Sequence, residues 1–438
     1  MKKIGIGLLG LGTVGQGVAN IIGDPNDRHP LVGELEIVGV AIRDLQKKRD
    51  IDLPHSIFTS DPNEIVNNPN VQIVVEVMGG IEPAKSLIIK AIRAGKSVVT
   101  ANKAVIARHG EEIAIEAKAA GVYVLIEAAV GGGIPIIEPL KQSLGGNQIT
   151  KVSGIINGTT NYILSRMDKE GVNYADVLKD AQALGYAESD PAADVEGLDA
   201  ADKIEILSGL AFGGAVDRAE IPTTGINLLE AIDVNYARKL GYGIKLLAIS
   251  EKGKTQSEIK KSQPLSIWVE PTLVPEDNPL AGVNGVNNAI LVEGNPIGQV
   301  MFFGPGAGSG PTASAVVADI LNIAGIQSMS EEKDFNLDPL LSAKSWRDCH
   351  VAEEKEITKK NYIRLIAEDT PGVIGEIGTI FGQEQISIES IVQFDASNSE
   401  AEIVVITHKI KQGQLEEALL NIKKLSQVKR IAAKMGCL

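Results

Sequence analysis

Alternation opens the chain. In KKIGIGLLG, Ile4, Ile6 and Leu8 fall on one side of a two-residue repeat, which predicts a strand. GLGTVGQGVANII reads as a glycine turn opening a helix, and ELEIVGVAIRD as a second strand. VQIVVEVMGG is continuously apolar, as a strand covered on both faces should be. IEPAKSLIIKAIRAG reads as a helix that Glu82-Pro83 starts and Gly95 stops. KSVVTANK, a helix around HGEEIAIEAKAAG and the strand VYVLIEAAV complete the alternation over residues 1–130. Strand and helix in turn predict a parallel, doubly wound sheet.

Near Gly131 the rhythm changes. IPIIEPLKQSLG reads as a helix and INGTTNYIL as a polar, glycine-bearing segment. Two helical stretches follow, NYADVLKDAQALG and GLDAADKIEILSGLAFG, with the acid-rich loop YAESDPAADVEG between them. Residues 264–303 read as strands, which predicts a second domain of α+β type. GPGAGSGPTASAVVADILNIAG is a further glycine turn and a long helix. The expected division is a doubly wound α/β domain over 1–135, completed by a helix within 305–340, and an α+β domain over 136–304. A linker at 341–360 and a small βαββαβ unit over 361–438 follow.

Composition narrows the function. A chain of 438 residues is too long for one core. Its 42 basic and 56 acidic residues leave a charge of −14, which argues against a nucleic-acid partner but not against a local basic pocket. Aromatics make up 4% and glycine numbers 46, a balance that suits tight strand-to-helix turns rather than base stacking. The two cysteines, Cys349 and Cys437, form no CxxC pair, so a reducing, cytoplasmic setting fits. No apolar run reaches membrane length, and strand-like sequence from Ile4 leaves no room for a signal peptide.

The chemistry starts at the first turn. Gly10, Gly12 and Gly15 match G-x-G-x-x-G between a strand and a helix, the pattern of a Rossmann-type dinucleotide site. Gly10 would allow the tight turn, Gly12 the close approach of a pyrophosphate, and Gly15 the packing of helix on strand. Leu11, Thr13 and Val14 complete the turn. After the second strand stand Arg43 and Asp44. Arg43 would pair with a 2′-phosphate and favour NADP; Asp44, one residue on, would favour NAD.

Two lysines stand out. Lys103 ends the buried strand of VVTANK, at the sheet edge where such folds place their sites. Asp199 and Lys203 are spaced i,i+4 on one helix, the pattern of an ordinary surface ion pair. Here a loop crowded with Glu188, Asp190, Asp194 and Glu196 precedes them, which suits binding an amine and donating a proton. The spacing does not match a calcium loop.

With these motifs quoted, the chain resembles homoserine dehydrogenase in its long form. GLGTVG at 10–15, VVTANKA at 98–104, EAAVGGGIP at 127–135, NGTTNYIL at 157–164, GYAESDPAADVEGLDAADK at 185–203 and GPGAGSGPTASAVVADI at 304–320 carry the likeness. The resemblance implies reversible NAD(P)H-dependent reduction of L-aspartate 4-semialdehyde to L-homoserine, in threonine, methionine and isoleucine biosynthesis. It implies Lys203 as proton donor, Lys103 as second active-site lysine, and Asp199 and Glu188 as substrate-holding acids. Gly185, Tyr186, Gly158 and Thr159 would line the same site. Lys103, Gly185 and Gly308 would touch the cofactor. Glu127, Val130, Gly132 and Ile134 align with a monovalent cation site for Na⁺ or K⁺, formed by three carbonyls and one carboxylate.

The segment from 361 on resembles an ACT domain. Its Glu368-Asp369-Thr370-Pro371-Gly372 turn places Asp369, Pro371 and Gly372 where an amino-acid effector would bind, threonine by analogy. Edge pairing of such modules implies a homodimer or homotetramer. Two rivals remain: a related reductase of another small substrate, against which the acid loop argues, and a non-catalytic amino-acid sensor, against which both lysines argue. A fused kinase finds no room before residue 10.

Overall fold

The computed structural model describes residues 3–214, 216–239, 241–252, 265–331, 355, 358–395 and 400–437. The chain forms two compact units, Met1–Lys344 and Ser345–Leu438.

The first unit opens with β1 (Ile4–Leu9), α1 (Thr13–Gly23), β2 (Leu35–Ala41), β3 (Phe58–Thr59) and α2 (Pro62–Asn67). There follow β4 (Ile73–Glu76), α3 (Ala84–Arg93), β5 (Ser97–Thr100), α4 (Lys103–Ala120) and β6 (Val124–Leu125). The strands form one parallel sheet in the order β3-β2-β1-β4-β5-β6. Period-two alternation divides each strand between two cores. Ile6, Leu8, Ile73, Val75 and Val99 pack on one side with α1 residues. Leu9, Val74 and Val98 pack on the other with α3 and α4. Gly95 holds a left-handed φ of 74° just past α3, as expected of a glycine that stops a helix.

A second sheet is antiparallel. It is built from β7 (Gln148–Ile155), β8 (Tyr242–Lys252), β9 (Leu265–Pro275), β10 (Asn287–Asn295) and β11 (Gly298–Pro305), in the order β11-β10-β7-β8-β9. Between β7 and β8 run α5 (Gly158–Glu170), α6 (Tyr174–Ala183), the short α7 (Ala192–Val195), α8 (Leu198–Phe212) and α9 (Ala231–Lys239). Here the sequence reading falls short. It expected strands only within 264–303, whereas β7 and β8 form the middle of the sheet. The helix expected at IPIIEPLKQSLG reduces to one π-type turn, Pro139–Ser143, and the strand VYVLIEAAV to Val124–Leu125. Then α10 (Ser309–Glu331) returns to the first sheet and crosses α1 at Gly17, where a Cβ would stand 2.7 Å from that of Ala313. Residues 332–340 of the expected returning helix lie outside the described residues, as does most of the expected linker, Cys349 included.

The second unit comprises β12 (Thr358–Glu368), α11 (Val373–Gln383), β13 (Ile388–Asp395), β14 (Glu400–Thr407), the two-residue β15 (Ile410–Lys411), α12 (Gln412–Ile422) and β16 (Val428–Cys437). Its sheet runs β13-β14-β12 with β16 beside β12, all antiparallel, and both helices bury one face on it through Val373, Ile377, Phe381, Leu415 and Ile422. Its first strand begins at Thr358, inside the segment expected to be linker. Among the described residues, no helix is long and apolar enough to cross a membrane.

Candidate active site

The first glycine turn leaves space on one side only. Gly10 holds φ 108° with a would-be Cβ 2.9 Å from the Val77 carbonyl oxygen, so a side chain is refused there. A Cβ on Gly15 would strike the Gly10 carbonyl oxygen. At Gly12, by contrast, it would meet nothing within 4 Å. Gly12 caps α1 with no side-chain bond, so the first N–H groups of the helix face open space at its positive end. Leu11 is buried while Thr13 is exposed, and the Thr13 carbonyl accepts from Ser309 Oγ at 2.7 Å. That bond brings the second glycine turn, with Gly308 at φ 123°, beside the first. An uncapped helix end with an open glycine, beside a second glycine turn, is the kind of place where a phosphate binds.

Beyond β2, Arg43 and Asp44 differ in availability. Asp44 Oδ1 accepts from the backbone N–H groups of Gln46 at 2.9 Å and Lys47 at 3.2 Å, closing its own turn. Arg43 is exposed and makes no hydrogen bond or ion pair among the described residues.

The lysines meet. Glu76, wholly buried at the end of β4, accepts from Thr100 Oγ1 at 2.7 Å; Thr100 in turn accepts from the Asn102 N–H at 3.0 Å. This network fixes the turn that starts α4, and Lys103 is the first residue of that helix. Its ammonium pairs with Asp199 Oδ1. From α8, Lys203 Nζ donates to Asp199 Oδ2 at 2.7 Å and to the Ile156 carbonyl at 2.7 Å. Asp199 is therefore the shared counter-ion of both lysines, 8% exposed in the first turn of α8. An ammonium carries three donors, so one Lys203 donor is left for a ligand. Burial pushes both lysines down to about 8. For Lys103 the neighbouring Lys203 charge adds to the fall, and for both, Asp194 and Asp202 oppose it.

Two residues that the sequence reading did not single out complete the cluster. Asn157, buried at the β7–α5 turn, donates through Nδ2 to Asp194 Oδ1 at 2.7 Å and to Asp199 Oδ2 at 3.0 Å. Its Oδ1 accepts from the Thr160 N–H at 2.9 Å and so caps α5. The INGTT segment, read from the sequence only as polar and glycine-bearing, is thus a helix start. An Asn two positions before Thr-Thr was the available signal for it. Asp194 stood in the acid loop as one acid among several.

The expected substrate residues gather at one edge. Thr159 Oγ1 donates to the Tyr186 carbonyl at 2.6 Å, which joins Gly158 and Thr159 to Gly185 and Tyr186. The Tyr162 and Tyr186 rings meet at 5.0 Å. The Glu188 carboxylate is exposed and bonds to no described residue, so it does not join the lysine cluster.

The expected cation loop shows a different use of its acid. Both oxygens of the buried Glu127 carboxylate are filled by N–H donors: Ile136 at 2.6 Å, Ile137 at 2.8 Å and Glu138 at 2.7 Å. It caps its own chain through these bonds, and it also lies in one cluster with Glu138 and Asp319, their carboxylate oxygens within 4.8 Å of one another. The carbonyls of Val130, Gly132 and Ile134 accept no hydrogen bond among the described residues, which suits a cation. Gly132, at φ 57°, presses on the Gly306 carbonyl and ties this loop to the second glycine turn. Behind Glu127 lies Asp319 of α10, wholly buried. Its Oδ2 accepts the Glu127 N–H at 2.8 Å, its Oδ1 has no partner, and burial raises its pKa well above the ordinary carboxylate range.

In the second unit, Gly372 holds φ 100° and caps α11 without a side-chain bond. Pro371 is exposed beside it, and Asp369 Oδ1 accepts from Gln393 at 3.0 Å.

Comparison with known proteins agrees with this geometry. Residues 135–321 match the family described as homoserine dehydrogenase, 10–127 its NAD-binding domain, and 361–427 the ACT domain. A homoserine dehydrogenase of Synechocystis is 53% identical over 426 residues, 97% of each chain. One of Bacillus subtilis is 38% identical over 98% of this chain and 97% of its own. Among solved structures, a homoserine dehydrogenase from Thiobacillus denitrificans aligns with a TM-score of 0.70 at 39% identity, covering 99% of this chain and 98% of that one. A hyperthermophilic archaeal homoserine dehydrogenase in complex with NADPH aligns at 0.61 and 30% identity, covering 74% of this chain and 98% of that one. The chain therefore belongs to the homoserine dehydrogenase family, NAD(P)-dependent oxidoreductases acting on a CH–OH group, and ends in an ACT domain.

Proposed function

We propose that Lys203 is the proton donor for reduction of L-aspartate 4-semialdehyde to L-homoserine, and the proton acceptor in reverse. The observation that carries this is the pairing of both lysines with Asp199, which leaves Lys203 one donor to spare. The nicotinamide, when bound, supplies or takes up the hydride. As negative charge grows on the aldehyde oxygen, the Lys203 ammonium stabilises it and delivers its proton. Lys103 adds a second positive charge at the sheet edge, and Asp199 keeps both lysines aimed. Glu188, whose carboxylate bonds to no described residue, meets the substrate ammonium. Gly158, Thr159, Gly185 and Tyr186 shape the wall beside it.

For the cofactor, the turn from Gly10 to Gly15 takes the pyrophosphate, with Gly308, Gly185 and Lys103 nearby. The free Arg43 and the self-engaged Asp44 favour NADP over NAD. A monovalent cation sits on the carbonyls of Val130, Gly132 and Ile134, with Glu127 holding the loop. Residues 1–135 with α10 form the cofactor domain and 136–304 the substrate domain. Threonine binds the second unit at Asp369, Pro371 and Gly372 as feedback effector. The chain is a homo-oligomer, a reading that the exposed Met301 and Phe303 on edge strand β11 support.

One assay tests the whole reading: homoserine oxidation with NADP and with NAD, each with and without threonine. The expected result is activity with both cofactors, higher efficiency with NADP, and inhibition by threonine. No oxidation of homoserine with either cofactor would refute the reaction.

A further inference from the structure

Two carboxylate oxygens converge on one nitrogen in this site. Asp194 Oδ1 and Asp199 Oδ2 both accept from Asn157 Nδ2, at 2.7 and 3.0 Å. Carboxylates that close repel, and one of them ordinarily takes up a proton. An amide –NH₂ between them removes that option, because it offers one hydrogen to each and has no titration of its own in water. Its orientation is fixed from the far side. Oδ1 accepts from the Thr160 N–H at 2.9 Å and Thr160 Oγ1 at 3.1 Å, so a flipped amide would set its oxygen against both acids and its –NH₂ against a backbone donor.

The acids so held serve the lysines. Asp199 bonds both ammonium groups, and Asp194 favours the charged form of each through space. The charged groups facing the pair are Lys103 from α4 and Lys203 with Asp202 from α8. Among the described residues, the turn between β7 and α5 adds the Ile156 carbonyl and Asn157 itself at this point. We propose that Asn157 is a positioning residue for the reaction: its amide clamps Asp194 and Asp199 as two anions beneath the two lysines. The role rests on the reading of Lys203 as proton donor.

Asn157 also caps α5, and the test must separate the two jobs. Serine and aspartate cap helices about as well as asparagine. Asn157→Ser keeps the cap and removes the bridging donors. Asn157→Asp keeps the cap and the size, but puts a third carboxylate where the –NH₂ was. The measurement is the pH profile of kcat for aldehyde reduction, with melting temperature as the control for folding. In Asn157→Ser the acid pair takes up a proton more readily and the lysines lose charge support. Its active window narrows from both sides, by roughly 1 pH unit on each. In Asn157→Asp the acidic limb moves further up, and kcat falls on the order of 100-fold. Asp194→Asn, which leaves the cap untouched, should lower the alkaline limb without raising the acidic one, since the repulsion on Asp199 is gone, and it decides the matter should either Asn157 variant fail to fold. Wild-type profiles in folded Asn157→Ser and Asn157→Asp would reduce Asn157 to a cap and overturn the proposal, as would an unmoved alkaline limb in Asp194→Asn. A wild-type enzyme with no alkaline limb of its own would instead sink the reading of Lys203, so the two failures are distinguishable.

Discussion

At the scale of single residues, burial decides most of the chemistry. Lys203, proposed as the proton donor, has its pKa pushed down to about 8, so it is mostly ammonium at neutrality and loses its proton just above it. The sign follows directly. Reduction needs the ammonium, so its kcat should fall as pH rises through about 8, while homoserine oxidation needs the free amine and should rise through the same range. Lys203→Ala should lose most of kcat in both directions while still binding NADPH by fluorescence titration; near-full turnover would remove this lysine from the mechanism. Arg43 is proposed for a different task, the cofactor's 2′-phosphate. Arg43→Ala should lower kcat/KM for NADP on the order of tenfold or more and leave NAD nearly unchanged, since a lost charge-assisted pair costs about 1.5–3 kcal/mol. An unaltered cofactor ratio would dismiss the phosphate contact. Asp319 shows burial acting on stability. Its folded pKa is raised, so the native chain holds a proton that the unfolded chain releases at lower pH. Stability from this group is fullest below the ordinary carboxylate range and is lost as pH rises through the raised value. Asp319→Asn imitates the protonated acid and still accepts the Glu127 N–H. Its melting temperature should come nearest that of the wild type below the ordinary carboxylate range and exceed it increasingly as pH rises. A variant that melts lower throughout would show that Asp319 is needed as an anion.

Elements explain why some of this was legible in the sequence and some was not. Glycine positions with a steric cause could be read, because the same motif demands an open side at Gly12 and closed sides at Gly10 and Gly15. That contrast extends to a prediction. Gly12→Ala meets nothing within 4 Å, so it should melt like the wild type yet bind NADPH more weakly, since a methyl group stands where the phosphate approaches. Gly17→Ala lies at the α1–α10 crossing, 2.7 Å from Ala313 Cβ and 2.8 Å from the Ser309 carbonyl. It should cost about 1–3 kcal/mol in denaturant unfolding, through overpacking. Equal melting temperatures for the two variants would contradict this division. The strands β7 and β8 were missed for a different reason. A lysine in mid-strand reads as a solvated charge, but Lys245 is buried, bonded to the Val283 carbonyl at 2.5 Å and Asn284 Oδ1 at 2.9 Å. In β7 the apolar residues Ile149, Val152 and Ile155 recur every third position, so no two-residue alternation announces it. Asn157 was hidden likewise. Its role depends on Asp194 and Asp199, 37 and 42 residues away, a contact that no local pattern reports.

For the molecule as a whole, the division between catalysis and sensing is a matter of where one compact unit ends. The sequence suggested a cut near Lys360, but β12 already starts at Thr358, and its first residues pair with β15 and β16. A chain cut at 360 would carry an unpaired piece of strand, with N–H and C=O groups open to other edges. The compact unit that holds both lysines ends at Lys344. It contains the parallel sheet, the antiparallel sheet and α10, so the cofactor turn, the lysine cluster and the substrate edge all lie within it. A chain of residues 1–344 should therefore keep homoserine oxidation with NADP within a few-fold of the full-length enzyme, since none of the groups proposed for the chemistry is removed. Its response to threonine should disappear, because Asp369, Pro371 and Gly372 go with the second unit. Kinetics of both chains over a range of threonine concentrations check this directly. A truncated chain that is still inhibited would move the effector site into the first unit. A folded but inactive one would show that the second unit supplies something to catalysis itself, such as an assembly on which the site depends.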